Sequence, residues 1–307
     1  MRVLIGVDGS AGSKEAVRQV ARLVSPERDR VALYYAPPKA TATTVKTLPE
    51  SAVADSRGTL AESVFADALA GLPEGVRANT ETIVGEQNPR RGLPLAADQW
   101  RADLTAVGAQ GASTLGLTLL GSVARALVFD TTKPVLIARA KSAPRVDNTY
   151  RVMMAVEDVP TLSSATKLLE EISFPAGAEG RLVHVVEPLF GTEIPDWLAD
   201  RARQHRDLEL SEAWVTGYQA EKTAKEAALA KFSKTLPAAI AGLPPLVVEG
   251  LPAKKLLEIA TAESVDLMIL GTRGLSMTQR FLIGSTTEKL MTHAPCSLLV
   301  MHYGAHP

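Results

Sequence analysis

Two hydrophobic rhythms alternate along the chain. Apolar runs of four to six residues, such as Val3-Leu4-Ile5-Gly6-Val7, are separated by stretches whose apolar positions recur every three or four residues. The runs predict strands buried on both faces, and the second rhythm predicts amphipathic helices. In the first half the expected order is strand 3–7 ending at Asp8-Gly9-Ser10, helix 13–24, strand 31–36 ending at Pro37-Pro38, and a helix within 51–72. Strand 76–84, helix 88–101 with Pro94 early in it or at a kink, strand 104–107, a helix from Ser122 and strand 134–138 follow. The second half repeats this order. It has strand 151–156, a helix after Thr161, strand 181–186, a long polar helical region 195–236, strand 246–249, helix 253–263, a strand at 267–270, a helix from Ser285 and strand 296–301.

Strict alternation of strand and helix implies parallel sheets covered on both faces, because right-handed crossovers put the helices there. The expected fold class is α/β, with two tandem, doubly wound, five-stranded parallel-sheet domains. The polar stretch 140–149, which contains Pro144, is the expected linker, giving domains 1–143 and 148–307. The offset between matching positions grows from 149 at the first strand to 163 at the later elements, so the second half carries an insertion. It is placed between Phe190 and Leu236, where Trp197 and Trp214 read either as core at helical spacing or as a partner surface.

Length agrees with this division, since 307 residues supply two domains that each bury a core. The net charge is −1, and residues 1–143 hold 17 basic and 14 acidic side chains, so neither half is basic enough to steer toward nucleic acid. Arg90-Arg91 reads as a solvated helix start. No apolar run approaches the roughly 18 residues of a spanning helix, and the first residues show no secretory pattern. A cytoplasmic protein that does not engage membranes is expected. Cys296 is the only cysteine, which excludes an intrachain disulfide and a cysteine zinc cluster and reads as a buried structural thiol.

The chemistry lies in a repeated glycine signature. Gly108-x2-Gly111-x9-Gly121-Ser122 returns 163 residues later as Gly271-x2-Gly274-x9-Gly284-Ser285, and each copy follows an apolar run opened by an aspartate, Asp103 or Asp266. A strand ending on glycine, a glycine-spaced loop and a hydroxyl residue opening a helix form a recurrent phosphate cradle, with backbone N–H donors and a helix dipole facing the anion. Ligands of open parallel sheets bind at the carboxyl ends of the strands, where Val7-Asp8, Tyr35-Ala36 and Val107-Gly108 stand. The plainer reading is that the glycines only make tight turns. Walker lysine, His-Glu-x-x-His, Gly-x-Ser-x-Gly and kinase signatures are missing, so no catalytic residue is expected. His184 reads as a core histidine within its strand, His293 as a helix-end residue, and His302 and His306 as terminal residues.

On these residues, Val7-Asp8-Gly9-Ser10, the two glycine loops and His293-Ala294-Pro295-Cys296 before the last strand, the chain resembles the universal stress proteins of the nucleotide-binding subclass, in tandem form and over essentially its whole length. The resemblance implies a Rossmann-like fold of the adenine nucleotide alpha hydrolase type in each half, with the glycine motif holding ATP, ADP or AMP, with or without Mg2+. It places Val7 and Asp8 at adenine and ribose, Tyr35 and Ala36 at the adenine edge through main-chain groups, and Gly108, Gly111, Gly121, Ser122 and Val123 around the phosphates, with Gly6 and Val107 also among the nucleotide-binding positions. In the second half the corresponding positions are Val156 and Glu157, Val185 and Val186, then Leu270, Gly271, Arg273, Gly274, Gly284, Ser285 and Thr286.

One departure matters. Asp8-Gly9-Ser10 becomes Glu157-Asp158-Val159-Pro160, so the ribose-facing carboxylate is one methylene longer or shifted by one position. Arg273 replaces Gln110 between the loop glycines, where it either adds charge-assisted phosphate contacts or points to solvent. Both sites are expected to bind, with different affinity or preference. The halves are expected to pack as an intramolecular pseudo-dimer, with pairing of whole chains open. The expected role is a nucleotide-binding stress-response or signalling module. A slow ATP hydrolase or nucleotidyl transferase using the same pocket, and a nucleotide-independent interaction scaffold, are the alternatives.

Overall fold

A computed structural model describes residues 1–38, 50–111, 120–140, 147–157, 166–187, 208–273 and 284–303. The first half runs β1 (Arg2–Gly6), α1 (Ala11–Leu23), β2 (Arg30–Tyr35), α2 (Glu50–Ala70), α3 (Glu74–Arg77), β3 (Glu81–Val84), α4 (Pro89–Gln99), β4 (Leu104–Gly108), α5 (Ser122–Asp130) and β5 (Val135–Ala138). The second runs β6 (Arg151–Ala155), α6 (Thr166–Glu171), β7 (Glu179–Val186), α7 (Leu208–Ser233), α8 (Ala238–Ala241), β8 (Leu246–Glu249), α9 (Pro252–Ala262), β9 (Leu267–Arg273), α10 (Ser285–His293) and β10 (Ser297–Tyr303).

Each half winds its strands in the order 3-2-1-4-5, all parallel, as the alternation requires. The sheets do not stay separate. β5 pairs antiparallel with β10, giving one ten-stranded sheet in the order β3-β2-β1-β4-β5-β10-β9-β6-β7-β8. In that seam Leu136 stands opposite Leu299, its own counterpart at the 163-residue offset, so the join lies on a pseudo-two-fold axis. Antiparallel joining turns the carboxyl ends of the two sets of strands toward opposite edges of the sheet. Gly108 and Gly271 therefore stand toward opposite edges.

Burial follows the strand pattern. Val3, Leu4 and Ile5 of β1 and Leu136 and Ile137 of β5 are fully buried, as strands covered on both faces must be. One core layer includes α1 and α2 residues with Leu169 and Leu229 of the second half, and the other joins α4 and α5 to α9 and α10. Both layers cross the seam. Cys296 is fully buried, as its sequence neighbours predict.

Three elements differ from expectation. The strand expected over 76–84 shrinks to Glu81–Val84, which pairs with Ala32–Tyr35, and is preceded by the single turn α3. Arg77 donates to the Leu72 carbonyl at 3.1 Å, which helps close that turn. Pro94 lies inside α4 without ending it. β9 continues three residues past the expected end at Leu270, since the equally long β10 pairs it up to Tyr303 and Arg273. Phe190 and Trp197 of the expected insertion lie outside the described residues, whereas its helical part is present as α7.

Candidate functional site

At the end of β1 the chain leaves the sheet through Val7 and Asp8, turns at Gly9, whose φ of +76° is the left-handed region a side chain resists, and enters α1. Ser10 is the N-cap of that helix, its Oγ accepting from the Ser13 N–H at 3.1 Å. The Asp8 carboxylate accepts from the Ser10 amide at 3.0 Å and from the Ser10 hydroxyl at 2.5 Å. Asp8 is thereby held in one orientation by the turn that starts the helix.

The glycine loop meets this turn directly. A Cβ placed on Gly108 would lie 2.4 Å from the Gly12 carbonyl carbon, and one on Gly12 would lie 2.0 Å from the Gln110 carbonyl oxygen. Two glycines thus let the first turn of α1 rest on the end of β4. A Cβ on Gly111 would stand 2.7 Å from Asp8 Oδ2, so this carboxylate and the loop backbone share one small space. The Gly121 amide donates to the Ala109 carbonyl at 2.7 Å, closing the loop and starting α5 at Ser122. Gly121 is the N-cap of α5 and supplies no side-chain hydrogen bond, so the amides of its first turn remain unmatched by a cap and suited to an anion. Ser122 is exposed beside them and Val123 half-buried.

Tyr35 ends β2. It is buried edge-on against Phe65, ring centroids 6.3 Å apart, and its phenol is pushed up first by burial and then by the negative charge of Asp8. Ala36 follows it, half-buried. Gly6 also serves packing. Its missing Cβ makes room for Leu93 and Val107, at 2.8 and 3.1 Å, which is packing of α4 on the sheet. A cleft of about 230 Å3 opens between α1 and α2, floored by Val7, Val17 and Val64 and bridged by the Lys14–Asp67 ion pair at 3.3 Å. It shares Val7 and Gly9 with the turn but includes none of the loop glycines.

The second half repeats the frame with other side chains. The Val7 amide donates to the Tyr34 carbonyl and the Val156 amide to the Val183 carbonyl, each at 2.9 Å, which fixes Asp8 against Glu157 and Tyr35 against His184. Val185 is therefore the counterpart of Ala36, and Val186 lies one residue beyond. His184, read from sequence as a core residue, is buried as expected, within β7 and two residues before its end at Val186. The constant offset of 149 across the first two strands was the signal for its match with Tyr35. Its Nδ1 lies 2.7 Å from the Val156 carbonyl. Glu157 is exposed. Leu270 is buried and Gly271 half-buried within β9, so the second loop leaves the sheet later than the first, after Arg273. Gly274 lies outside the described residues. Gly284 caps α10 without a side-chain hydrogen bond, and Ser285 and Thr286 open it. Among the described residues no group of three or more His, Cys, Asp or Glu side chains is arranged to hold a metal ion.

Two paired, doubly wound half-sheets define a tandem α/β protein. The sequence profile described as "Universal stress protein family" matches residues 1–139 and again 150–302, and the chain belongs to that family. A universal stress protein of Thermus aquaticus is 31% identical over 131 residues, which is 41% of this chain and 78% of that protein. Among solved structures, a universal stress protein from Archaeoglobus fulgidus superposes with a TM-score of 0.59 at 18% identity, covering 99% of this chain and 98% of that one. A functionally unknown protein from Pseudomonas aeruginosa PAO1 reaches 0.58 at 14% identity, covering 98% and 92%.

Proposed function

We propose that the protein binds adenine nucleotides, ATP or its di- and monophosphates, at both strand-end sites, and works as a cytoplasmic stress-response or signalling module. The observation that carries this reading is the convergence in the first half of the Asp8 carboxylate, the Gly111 backbone and the uncapped first turn of α5 on one small space. Each part matches one part of a nucleotide. Asp8, held by Ser10, accepts hydrogen bonds from the ribose hydroxyls. Gly111 carries no side chain that would stand between the loop and a phosphate. The α5 amides and the Ser122 hydroxyl donate to phosphate oxygens, with the helix dipole favouring the negative charge.

Mg2+ accompanying the phosphates would be neutralised by the phosphates themselves, with Asp8 as the carboxylate at the loop. In the second half Glu157, the α10 amides and Ser285 take the corresponding roles, with Arg273 at the loop entry. The sites differ at the nucleoside end, so two affinities are expected. Such a cradle binds rather than turns over nucleotide, because stabilising transition-state charge needs groups aimed at it beyond those that hold the ground state.

Mass spectrometry of ligand released from the purified chain, followed by calorimetric titration with ATP, ADP and AMP, tests the reading. Adenine nucleotide in the released fraction and a titration weakened at least tenfold by Gly121→Val are expected. No released or titratable nucleotide, with Gly121→Val indistinguishable from the parent, would establish the scaffold reading instead. Rapid single-turnover ATP cleavage abolished by Asp8→Ala would establish the enzyme reading.

A further inference from the structure

The cleft between α1 and α2 stands apart from the phosphate loop, since none of the loop glycines lines it. Its floor is apolar, formed by Val7, Val17, Val64 and Ala68. The two helices converge at each end of it. A Cβ on Gly9 would lie 3.7 Å from Val64 Cγ2, and one on Gly71 would lie 2.9 Å from Val17 Cγ1. The space between, about 230 Å3, is that of about seven or eight waters at roughly 30 Å3 each. A small metabolite fits there, whereas a helix or a long chain finds no room.

Opposite charges face each other across the mouth. Lys14 and Arg18 stand one helical turn apart on α1, and Asp67 stands on α2 with its carboxylate 3.3 Å from Lys14 Nζ. The Lys14 and Asp67 side chains are 52% and 62% exposed, so their attraction is weak and readily exchanged for other partners. Arg18 is held on the same wall by Glu15 at 3.2 Å.

We propose that this cleft binds a free α-amino acid with a branched apolar side chain, a ligand class distinct from the nucleotide. The ammonium of the ligand takes the place of Lys14 at Asp67, and its carboxylate takes the place of Asp67 at Lys14, with Arg18 beside it. Every charge keeps a partner. The net gain is the apolar side chain, which leaves water for the valine floor. A carboxylate alone would leave Asp67 without its cation, and an ammonium alone would leave Lys14 without its anion.

The test is titration of the full chain with L-leucine, read from the methyl resonances of labelled valines. Shifts at Val7, Val17 and Val64 are expected by about 20 mM, a concentration that fills a site of millimolar affinity. Their absence overturns the proposal. Isocaproate and isoamylamine, which are leucine without its ammonium and without its carboxylate, are expected to bind about fivefold more weakly. Either one binding as well as leucine shows apolar uptake alone and overturns it. Asp67→Asn and Lys14→Gln change exposed side chains that the fold does not need, and each is expected to weaken leucine by a similar factor. Parent affinity in both variants counts against the assignment as decisively. Gly121→Val, which weakens nucleotide, is expected to leave leucine binding intact; its loss there would put the amino acid in the nucleotide site and overturn the proposal. Leucine binding without nucleotide binding would remove only the reading above, and nucleotide binding without leucine binding only this one.

Discussion

Asp8 shows how a single side chain acquires its place. Its carboxylate is oriented by Ser10, which is itself fixed as the cap of α1, and it lies where Gly111 has no side chain. Gly111→Ala therefore puts a methyl group 2.7 Å from Oδ2, displacing the carboxylate. His302 illustrates the opposite case, a titratable residue controlled by its surroundings rather than by one partner. Burial holds its pKa down at about 4, against 6.5 when free. Since the folded state resists protonation, its contribution is fully present above about pH 6.5 and is lost as pH falls toward 4. The loss amounts to roughly 3 kcal/mol at most. Urea unfolding of the parent and of His302→Asn across that window checks it: the parent is expected to lose stability more steeply than the variant on acidification, and equal slopes would contradict the assignment.

Elements are positioned here by the absence of side chains as much as by their presence. The first turn of α1 approaches the end of β4 only because Gly12 and Gly108 face each other, with projected Cβ contacts of 2.0 and 2.4 Å to backbone atoms that have no rotamer to yield. Gly108→Ala is expected to push α1 away from the sheet at its functional end and cost about 1–3 kcal/mol, as overpacking of a tight contact does. Guanidinium denaturation of the full chain measures it, and a variant as stable as the parent would show that the helix moves without penalty. Ser10→Ala tests the same end of α1 differently. It removes the cap and one restraint on Asp8, with an expected loss of about 1 kcal/mol by the same assay. At this scale the alternation of apolar runs read the order of strands and helices, and missed lengths. α3 and the extension of β9 were not legible, because strand length is decided by how much neighbouring strand is available for pairing.

Across the whole molecule the decisive contact is the antiparallel seam. Leu136 and Leu299 meet on the pseudo-two-fold axis, fully buried or nearly so, and Arg125 reaches its own counterpart Glu288 at 2.8 Å. That ion pair is about half exposed and contributes little by itself. A homodimer would set identical charges at this position, whereas a tandem chain can set opposite ones. Arg28 adds a bond from the first half to the Ser173 hydroxyl at 2.9 Å, and Tyr150 donates to Gln19 at 3.1 Å. With both core layers crossing the seam, the two halves are expected to unfold as one cooperative unit. Leu136→Ala should lower stability by about 2–5 kcal/mol and shift exchange protection in both halves together. Hydrogen exchange read separately on β1 and β6 decides this, and loss confined to the first half would show independent units.

The amino-acid sequence alone determined the α/β class, the tandem repeat, the family and the neighbourhoods of both candidate sites, because strand and helix periods and glycine spacings are local properties of a chain. Asp8, Gly108, Gly111 and Gly121 were legible in that way. Tertiary structure alone decided that the two sheets fuse through β5 and β10, that Gly6 serves packing and that Gly12 is the partner of Gly108. These depend on which strand lies beside which, and in what register. Register is a relation between distant segments, settled when their side chains are buried together, so no local pattern along the chain contains it.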